Sequence, residues 1–433
     1  MKSIGVFFEN QEIGKLGFDE ATENSIFQYN PKFLENGNFK SIFPFVLKKT
    51  PTSQIFNQFK GETFKSLPPM FADSLPDIFG NMVFKEWMKA NNKKNVSPIE
   101  QLAYVGVRGM GAIEYKPSNL VDNDFTSDVN IEEMAEFSKR ILDVRAELSS
   151  DGLSHQSLLN MFRIGTSAGG ARPKILVSEH KITGKLFPGD LNYSNEYYHY
   201  LIKLSIEESY SPEIIEYCYY KLATSLGIRM QPSKLIDRKH FCTERFDRVD
   251  GEKVHILTAS GITGWDFKNP QYSSYENLFK LCNELVLPHA QIEELFKRMV
   301  LNVVFLNTDD HLKNTSFVYD NSTDRWNLSP AYDITFALNP LLNVRNVNRA
   351  LSINGKRNDI IIQDLLQLAS DFSVKNAKNI IDNTINAFDT LKIEMENNKV
   401  PTRVLNSLSD LIAENIKEIS IKGKNKNSSK SND

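Results

Sequence analysis

The chain has 433 residues, 41% of them hydrophobic and 24% charged, and a formal net charge of −3 at pH 7. That is the composition of a globular protein with room for two or three folded regions. The near-neutral balance removes any global electrostatic reason to expect nucleic acid or an anionic membrane as a partner. The three cysteines, Cys218, Cys242 and Cys282, are far apart, lack metal-ligand spacing and sit in apolar stretches, so they read as buried free thiols. The first residues carry no signal-peptide pattern, and no run approaches the roughly 18 apolar residues of a membrane span. The expected location is the cytoplasm, with no membrane partner.

Taken in order, the chain begins as β structure. Short apolar runs at 4–8, 13–18 and 25–29 are separated by turn-forming residues. A proline-punctuated connector, Leu67-Pro-Pro-Met-Phe-Ala-Asp-Ser-Leu-Pro-Asp, precedes a helix expected over 82–89. Gly106-Val-Arg-Gly-Met-Gly111 does not match a dinucleotide fingerprint and reads as a tight turn. A polar linker near 118–130 marks the first boundary, giving an N-terminal region of 1–125. The next region, 126–250, holds a glycine-rich turn, a strand near 200–204 and a helix from about Pro212 to Gly227. From 251 to 421 the pattern is mainly helical, with Ile292, Leu295, Phe296, Met299, Val300 and Val303 on one helical face. Residues 422–433 form a polar, lysine-rich tail that reads as disordered.

The chemistry concentrates at Asn307-Thr-Asp-Asp-His-Leu-Lys-Asn314. Asp309 and Asn314 have the spacing of the kinase catalytic loop, in which an Asp faces the attacking hydroxyl and an amide oxygen reaches Mg²⁺ on the phosphates. A strand, a turn at 320–325 and a return strand follow, and lead to Ser329-Pro-Ala-Tyr-Asp333. A kinase places its second metal-binding Asp after just such a hairpin. One amide, one carboxylate and phosphate oxygens suit Mg²⁺. Lys313 is placed to neutralise the γ-phosphate, and His311 to face phosphate or brace the loop. With Leu312 between them and Tyr332 beside Asp333, these residues form the expected nucleotide-contacting set. The bland alternative is a capped surface loop followed by an ordinary hairpin.

Upstream, Lys203 lies in an apolar strand, and the helix that follows carries Glu216, with Glu213 as a weaker candidate for its partner. A kinase needs such a lysine on the α/β-phosphates, held by a helix glutamate. Between the two pairs, Thr243-Glu-Arg-Phe-Asp-Arg248 stands where adenine is received. Backbone groups of Glu244 and Phe246 suit the adenine edge, while Arg245 and Asp247 equally suit a structural ion pair. The turn Gly165-Thr-Ser-Ala-Gly169-Gly170-Ala171-Arg172-Pro173-Lys174 offers small residues and two cations for a phosphate cradle, yet fails the P-loop pattern.

Together these pieces resemble the HipA family of serine/threonine-kinase toxins. The matching segments are Leu67-Pro-Pro…Ala-Asp-Ser-Leu-Pro-Asp, Gly170-Ala-Arg-Pro-Lys174, Arg245-Phe-Asp-Arg, the 307–314 loop, Leu328-Ser-Pro-Ala-Tyr-Asp333 and Leu351-Ser-Ile-Asn-Gly. The resemblance implies a two-lobed, protein-kinase-like α+β fold with a β-rich N-terminal subdomain and a helical C-terminal lobe. It also implies ATP and Mg²⁺ as cofactors, Asp309 as catalytic base, Asn314 and Asp333 on the metal, and Lys203 on the phosphates. In the family a glycine-loop serine is autophosphorylated, which silences the enzyme. Ser167 matches that position, with Thr166 beside it. A dianion there would repel the ATP phosphates. The resemblance further implies a HipB-like DNA-binding antitoxin as partner, with DNA contacted only through that complex, and a protein substrate. Family targets include aminoacyl-tRNA synthetases but differ between members. Two other classes stay open: a nucleotide-binding pseudokinase scaffold for the antitoxin, and a small-molecule kinase.

Overall fold

The computed structural model describes residues 2–93, 96–118, 128–142, 172–189, 194–206, 209–342, 344 and 347–421. These belong to two compact units. The first comprises Met1–Ile206, Cys242–Gly264 and Phe317–Arg325, and the second Glu207–Phe241, Trp265–Ser316 and Trp326–Asp433.

The first unit opens with the expected β run. Strands β1 (Lys2–Phe8), β2 (Gln11–Asp19), β3 (Asn24–Tyr29), β4 (Gln54–Phe56) and β5 (Glu114–Lys116) form an antiparallel sheet of order β4-β3-β2-β1-β5. Period-2 alternation sends Ile4, Val6 and Phe8 to the buried face. Gly14 is obligatory in this register, because a Cβ there would lie 2.3 Å from the Gln28 carbonyl oxygen. Against the sheet, Phe27, Phe43 and Phe71 meet at tilted and edge-to-face angles, with Phe71 5.2 and 5.5 Å from the other two ring centroids.

The proline-punctuated connector has a physical role within this unit. Asp73 accepts from the Thr258 amide at 2.8 Å and the Thr258 hydroxyl at 2.9 Å. Asp77 caps the helix Ile78–Ala90 by accepting from the Gly80 amide at 2.6 Å. That helix starts four residues before the expected 82–89, at the cap rather than at the first apolar repeat. A helix the sequence reading did not assign, Pro98–Val105, has Pro at its first turn and a Ser97/Glu100 capping box. The turn read at 106–111 is present, with Gly106 and Gly111 at φ 56° and 76°.

In the second sheet of this unit, β6 (Lys174–His180) lies between β7 (Leu186–Pro188) and β8 (Tyr197–Lys203), and β8 adjoins the strand His240–Glu244. Beyond that strand a buried ionic knot forms. Asp247 accepts from Arg245 Nε at 2.9 Å and Nη2 at 2.8 Å, from Arg248 Nη1 at 2.8 Å, and from the Gly111 amide at 2.8 Å. Arg248 also donates to the Gly109 and Gly111 carbonyls at 3.1 Å, so the knot ties the glycine turn to the chain after β8.

The second unit is helical. Its helices are Pro212–Ser225, Tyr275–Glu284, His289–Val304, Ile362–Asp371, Ala377–Asn386, Phe388–Asn397 and Thr402–Ile421. The predicted apolar face of His289–Val304 is buried as expected. A helix end leaves carbonyls without partners. Here Asn415 donates to the Val303 and Val304 carbonyls at 2.9 Å, and the Tyr219 hydroxyl donates to that of Phe305 at 2.7 Å. The three cysteines are buried free thiols, and burial pushes Cys218 and Cys282 up to about 12. Among the described residues no helix is long and apolar enough to cross a membrane.

Candidate functional site

Within the second unit, the capped end of His289–Val304 delivers the chain into the polar loop. Leu306 takes a left-handed φ of 57°, which ends the helix and turns the backbone away. The 3₁₀ turn Leu312–Asn314 closes the loop, with the Asn314 amide donating to the His311 carbonyl at 2.8 Å. The Asn314 side-chain Nδ2 donates to the Asp309 carbonyl at 2.7 Å. That bond commits the NH₂ end of the amide and leaves Oδ1 as the acceptor end, the polarity a cation ligand requires. The Asp309 carboxylate is 61% exposed, and His311 Nε2 stands 3.8 Å from it. The His311 ring also packs on Phe267, 5.0 Å between centroids, and the Lys313 ammonium lies 5.7 Å above the same ring.

Asp333 reaches this place from the other side. Arg298 Nη2 donates to the Ser329 carbonyl at 2.8 Å, and the Ala331 amide to the Arg229 carbonyl at 2.8 Å. The Tyr332 hydroxyl donates to the Lys313 carbonyl at 2.9 Å and is hydrogen-bonded to the Ser316 hydroxyl. Asp333 itself is held at φ 53°, a conformation costly for a non-glycine residue. Asn307 Nδ2 donates to its carbonyl at 3.3 Å. The result is a cleft of about 390 Å³, including open solvent at its mouth, lined by Asn307, Asp310, Asn314, Tyr332 and Asp333 among others. Asn314 and Asp333 both line this cleft, and an amide oxygen with a carboxylate is the hard-oxygen donor set that suits Mg²⁺.

Beneath the loop lies a polar network that the sequence reading did not assign. Asp310, 4% exposed, accepts from the Tyr275 hydroxyl at 2.7 Å and from Arg349 Nη2 at 3.0 Å. Asn302 donates to the Tyr275 oxygen at 3.0 Å and accepts from Asn307 Nδ2 at 3.0 Å. Burial first, then the neighbouring Asp310 carboxylate, holds the Tyr275 hydroxyl well above its usual range. One signal was legible: Asn302 interrupts the apolar run Val300-Leu-Asn-Val-Val304. Arg349 offered none.

The other predicted residues divide between the units. In the first, Lys174 and Lys203 are directly paired in the β6–β8 register and are 2% and 6% exposed. Lys174 Nζ is 3.9 Å from Asp77 Oδ2. Two buried ammonium groups side by side demand negative charge nearby. Arg172 and Pro173 precede β6, Pro173 buried and Arg172 half-buried. Glu244 ends the strand His240–Glu244. The Arg245 amide donates to the His199 carbonyl at 2.9 Å, and its guanidinium is taken up by Asp247 as described above, with Phe246 half-buried between. In the second unit, Glu213 and Glu216 are both buried on Pro212–Ser225, and Leu312 is buried in the loop turn. Ser167, Thr166, Gly169, Gly170 and Ala171 lie outside the described residues.

Comparison with known proteins fits these segments to one family. Residues 166–391 match the family model of the HipA-like C-terminal domain, and residues 4–116 that of the HipA N-terminal domain. A solved structure of Shewanella oneidensis HipA, in a complex with HipB and its operator DNA, superposes with a TM-score of 0.66 at 16% identity. It covers 95% of this chain and 96% of that one, and establishes the two-lobed, kinase-like α+β fold. The Helicobacter pylori proinflammatory kinase CtkA gives a TM-score of 0.42 at 16% identity, over 58% of this chain and 90% of that one. A Haemophilus influenzae protein that its name assigns provisionally to the kinases is 28% identical over 191 residues, 39% of this chain. The chain spans about half, 52%, of that curated relative's length.

Proposed function

Because the chain belongs to the HipA family, we propose that it is an ATP- and Mg²⁺-dependent serine/threonine protein kinase and the toxin of a toxin–antitoxin pair. At the coarser level its relatives make it a HipA-type kinase or toxin–antitoxin component. The observation that carries the finer reading is the convergence of Asn307, Asp310 and Asn314, from the loop that carries Asp309, with Asp333 on one cleft. Asp309, exposed at the edge of the loop, accepts the proton of an incoming protein hydroxyl while that oxygen attacks the γ-phosphorus and the bond to the β-phosphate oxygen breaks. Asn314 Oδ1 and the Asp333 carboxylate hold Mg²⁺. The bound ion supplies charge neutralisation on the phosphate oxygens. Lys313 stands beside the loop to offset charge on the transferred group, and His311 braces the Asp309 carboxylate. Lys203, partnered by Glu216, and Lys174 with Arg172 and Pro173 serve the remaining phosphates. The chain at Glu244–Phe246 receives adenine, and Leu312 and Tyr332 support the nucleotide from the loop side.

Ser167, in the glycine-rich turn, is the autophosphorylation site that shuts the enzyme down, with Gly169–Ala171 as the cradle it disturbs. The partner is a HipB-like DNA-binding antitoxin, and DNA is met through that complex. The substrate is a protein of a class that differs between family members.

Intact-mass spectrometry of the chain and its Asp309→Asn variant, each incubated with Mg²⁺ and ATP, tests the reading. Phosphate on the wild type at Ser167 and none on the variant supports it. Failure of the wild type to bind ATP refutes it.

A further inference from the structure

Asp310 directly follows the candidate base, and its environment is the reverse of Asp309's. One carboxylate is 61% exposed at the side chain, the other 2%. Burying a carboxylate is unfavourable unless its lone pairs are met, and here they are met by three residues from two separate stretches of one unit. Tyr275, at the start of the helix Tyr275–Glu284, donates to Oδ2 at 2.7 Å. Arg349 donates to the same oxygen from Nη2 at 3.0 Å and Nε at 3.3 Å. The Leu351 amide donates to Oδ1 at 3.3 Å.

The Leu351-Ser-Ile-Asn-Gly motif thereby acquires a purpose that the phosphoryl-transfer chemistry alone does not give it. Its backbone is stitched in place: the Ser352 amide donates to the Ser273 carbonyl at 3.1 Å, and the Tyr275 amide to the Ser352 carbonyl at 3.0 Å. From that support two further bonds reach the loop. The Ala350 amide donates to the Thr308 carbonyl at 2.8 Å, and Arg349 Nη2 to the Asn307 carbonyl at 3.2 Å. Asn307 then contacts the Asp333 carbonyl.

We propose that Asp310, through its buried pair with Arg349 and its bond from Tyr275, is the positioning anchor that seats the catalytic loop on the Arg349–Gly355 segment. This rests on the reading of Asp309 as the base. The Asp309 carboxylate is 61% exposed with His311 beside it, so its aim depends on the backbone that carries both residues. That backbone is fixed at Asn307, Thr308 and Asp310 by one support. The same support reaches Asp333 through Asn307, so the base and the candidate metal ligand are held in mutual register. Misplacement of reacting groups by about 1 Å costs on the order of 100-fold in rate. None of the bonds described above involves Lys174 or Lys203, so the larger effect is expected on kcat and the smaller on the KM for ATP.

The test compares full-length wild type, Asp310→Asn, Tyr275→Phe and the double variant Asp310→Asn/Arg349→Met. The initial rate of radiolabelled γ-phosphate transfer from ATP to the chain or to water, read before self-inactivation over a range of ATP concentrations, gives an apparent kcat and KM for ATP, and a urea midpoint is measured beside each. Asp310→Asn is expected to lower both the midpoint and kcat, kcat by about 100-fold, with KM within about threefold. The double variant leaves no unpaired buried charge and regains the midpoint, while kcat stays low. Tyr275→Phe keeps the ion pair and loses kcat by about tenfold at unchanged KM. Recovery of kcat together with the midpoint in the double variant would reduce the pair to plain structure and overturn the proposal. Wild-type kcat in Asp310→Asn, or in Tyr275→Phe should the others not fold, would overturn it too. A wild type that turns over no ATP refutes the Asp309 reading itself, and the anchor falls with it.

Discussion

Replacing Asp247 with Asn removes the carboxylate that binds two buried guanidinium groups, Arg245 and Arg248 being 5% and 6% exposed. Asparagine matches the shape. Its Oδ1 can still accept from the Gly111 amide or from one guanidinium, but its NH₂ end faces donors. Two charge-assisted bonds are lost at about 1.5–3 kcal/mol each, in line with the roughly 3–5 kcal/mol for breaking a buried ion pair. Urea denaturation of the full chain should therefore show a loss of about 3–5 kcal/mol. The exposed neighbour Asp250→Asn serves as control, expected within about 0.5 kcal/mol of wild type. Burial alone would push the Asp247 carboxyl up, but Arg245 and Arg248 outweigh it and hold the group well below the usual carboxylate range. Its contribution is thus complete above the unfolded value of about 3.9 and fades as pH falls toward the native one. Wild type should lose stability below about pH 4 by a component that Asp247→Asn lacks. Equal midpoints for Asp247→Asn and Asp250→Asn would refute the argument that the knot is held by charge.

Other outcomes follow from the same geometry. His255, enclosed by Phe8, Phe43 and Tyr319 with centroids 5.8–6.1 Å away, is pushed down to about 3 by burial. It stays neutral in the folded chain while the unfolded chain protonates near 6.5, so stability should fall between about pH 6.5 and 3, by up to roughly 5 kcal/mol. His255→Phe should flatten that fall, and an unchanged pH profile would contradict it. Asn415→Leu leaves the Val303 and Val304 carbonyls without their donor and should cost about 1–3 kcal/mol in a thermal or urea melt, whereas no change would mean those carbonyls find other partners. Asp309→Asn, at an exposed side chain, should leave the melt within about 0.5 kcal/mol of wild type while abolishing phosphate transfer. An active Asp309→Asn enzyme would remove this residue from the chemistry.

Much of the local architecture was legible in the chain. The alternating strands at the N-terminus, the helix beginning near Pro212, the face of His289–Val304 and the hairpin before Asp333 all follow from apolar period and turn residues. The helix Pro98–Val105 was missed because its signal is a cap, Ser97 with Glu100, rather than a long apolar repeat. The loop from Asn307 to Asn314 stood out as a spacing of polar residues. The network beneath it did not, since Tyr275 and Arg349 are unremarkable among their own sequence neighbours, and Asn302, a polar break in an apolar run, names no partner.

Periodicity, caps and the order of short motifs are properties of neighbouring residues, and so they specified the strands, the helices and the loop without reference to anything distant. The partner of a buried charge is a different matter. Asp310 sits 39 residues from Arg349 and 35 from Tyr275, and Asp247 sits 136 from Gly111. No local pattern encodes those distances. Each pairing exists because folding removed both groups from water, and a buried charge left without partners is costly.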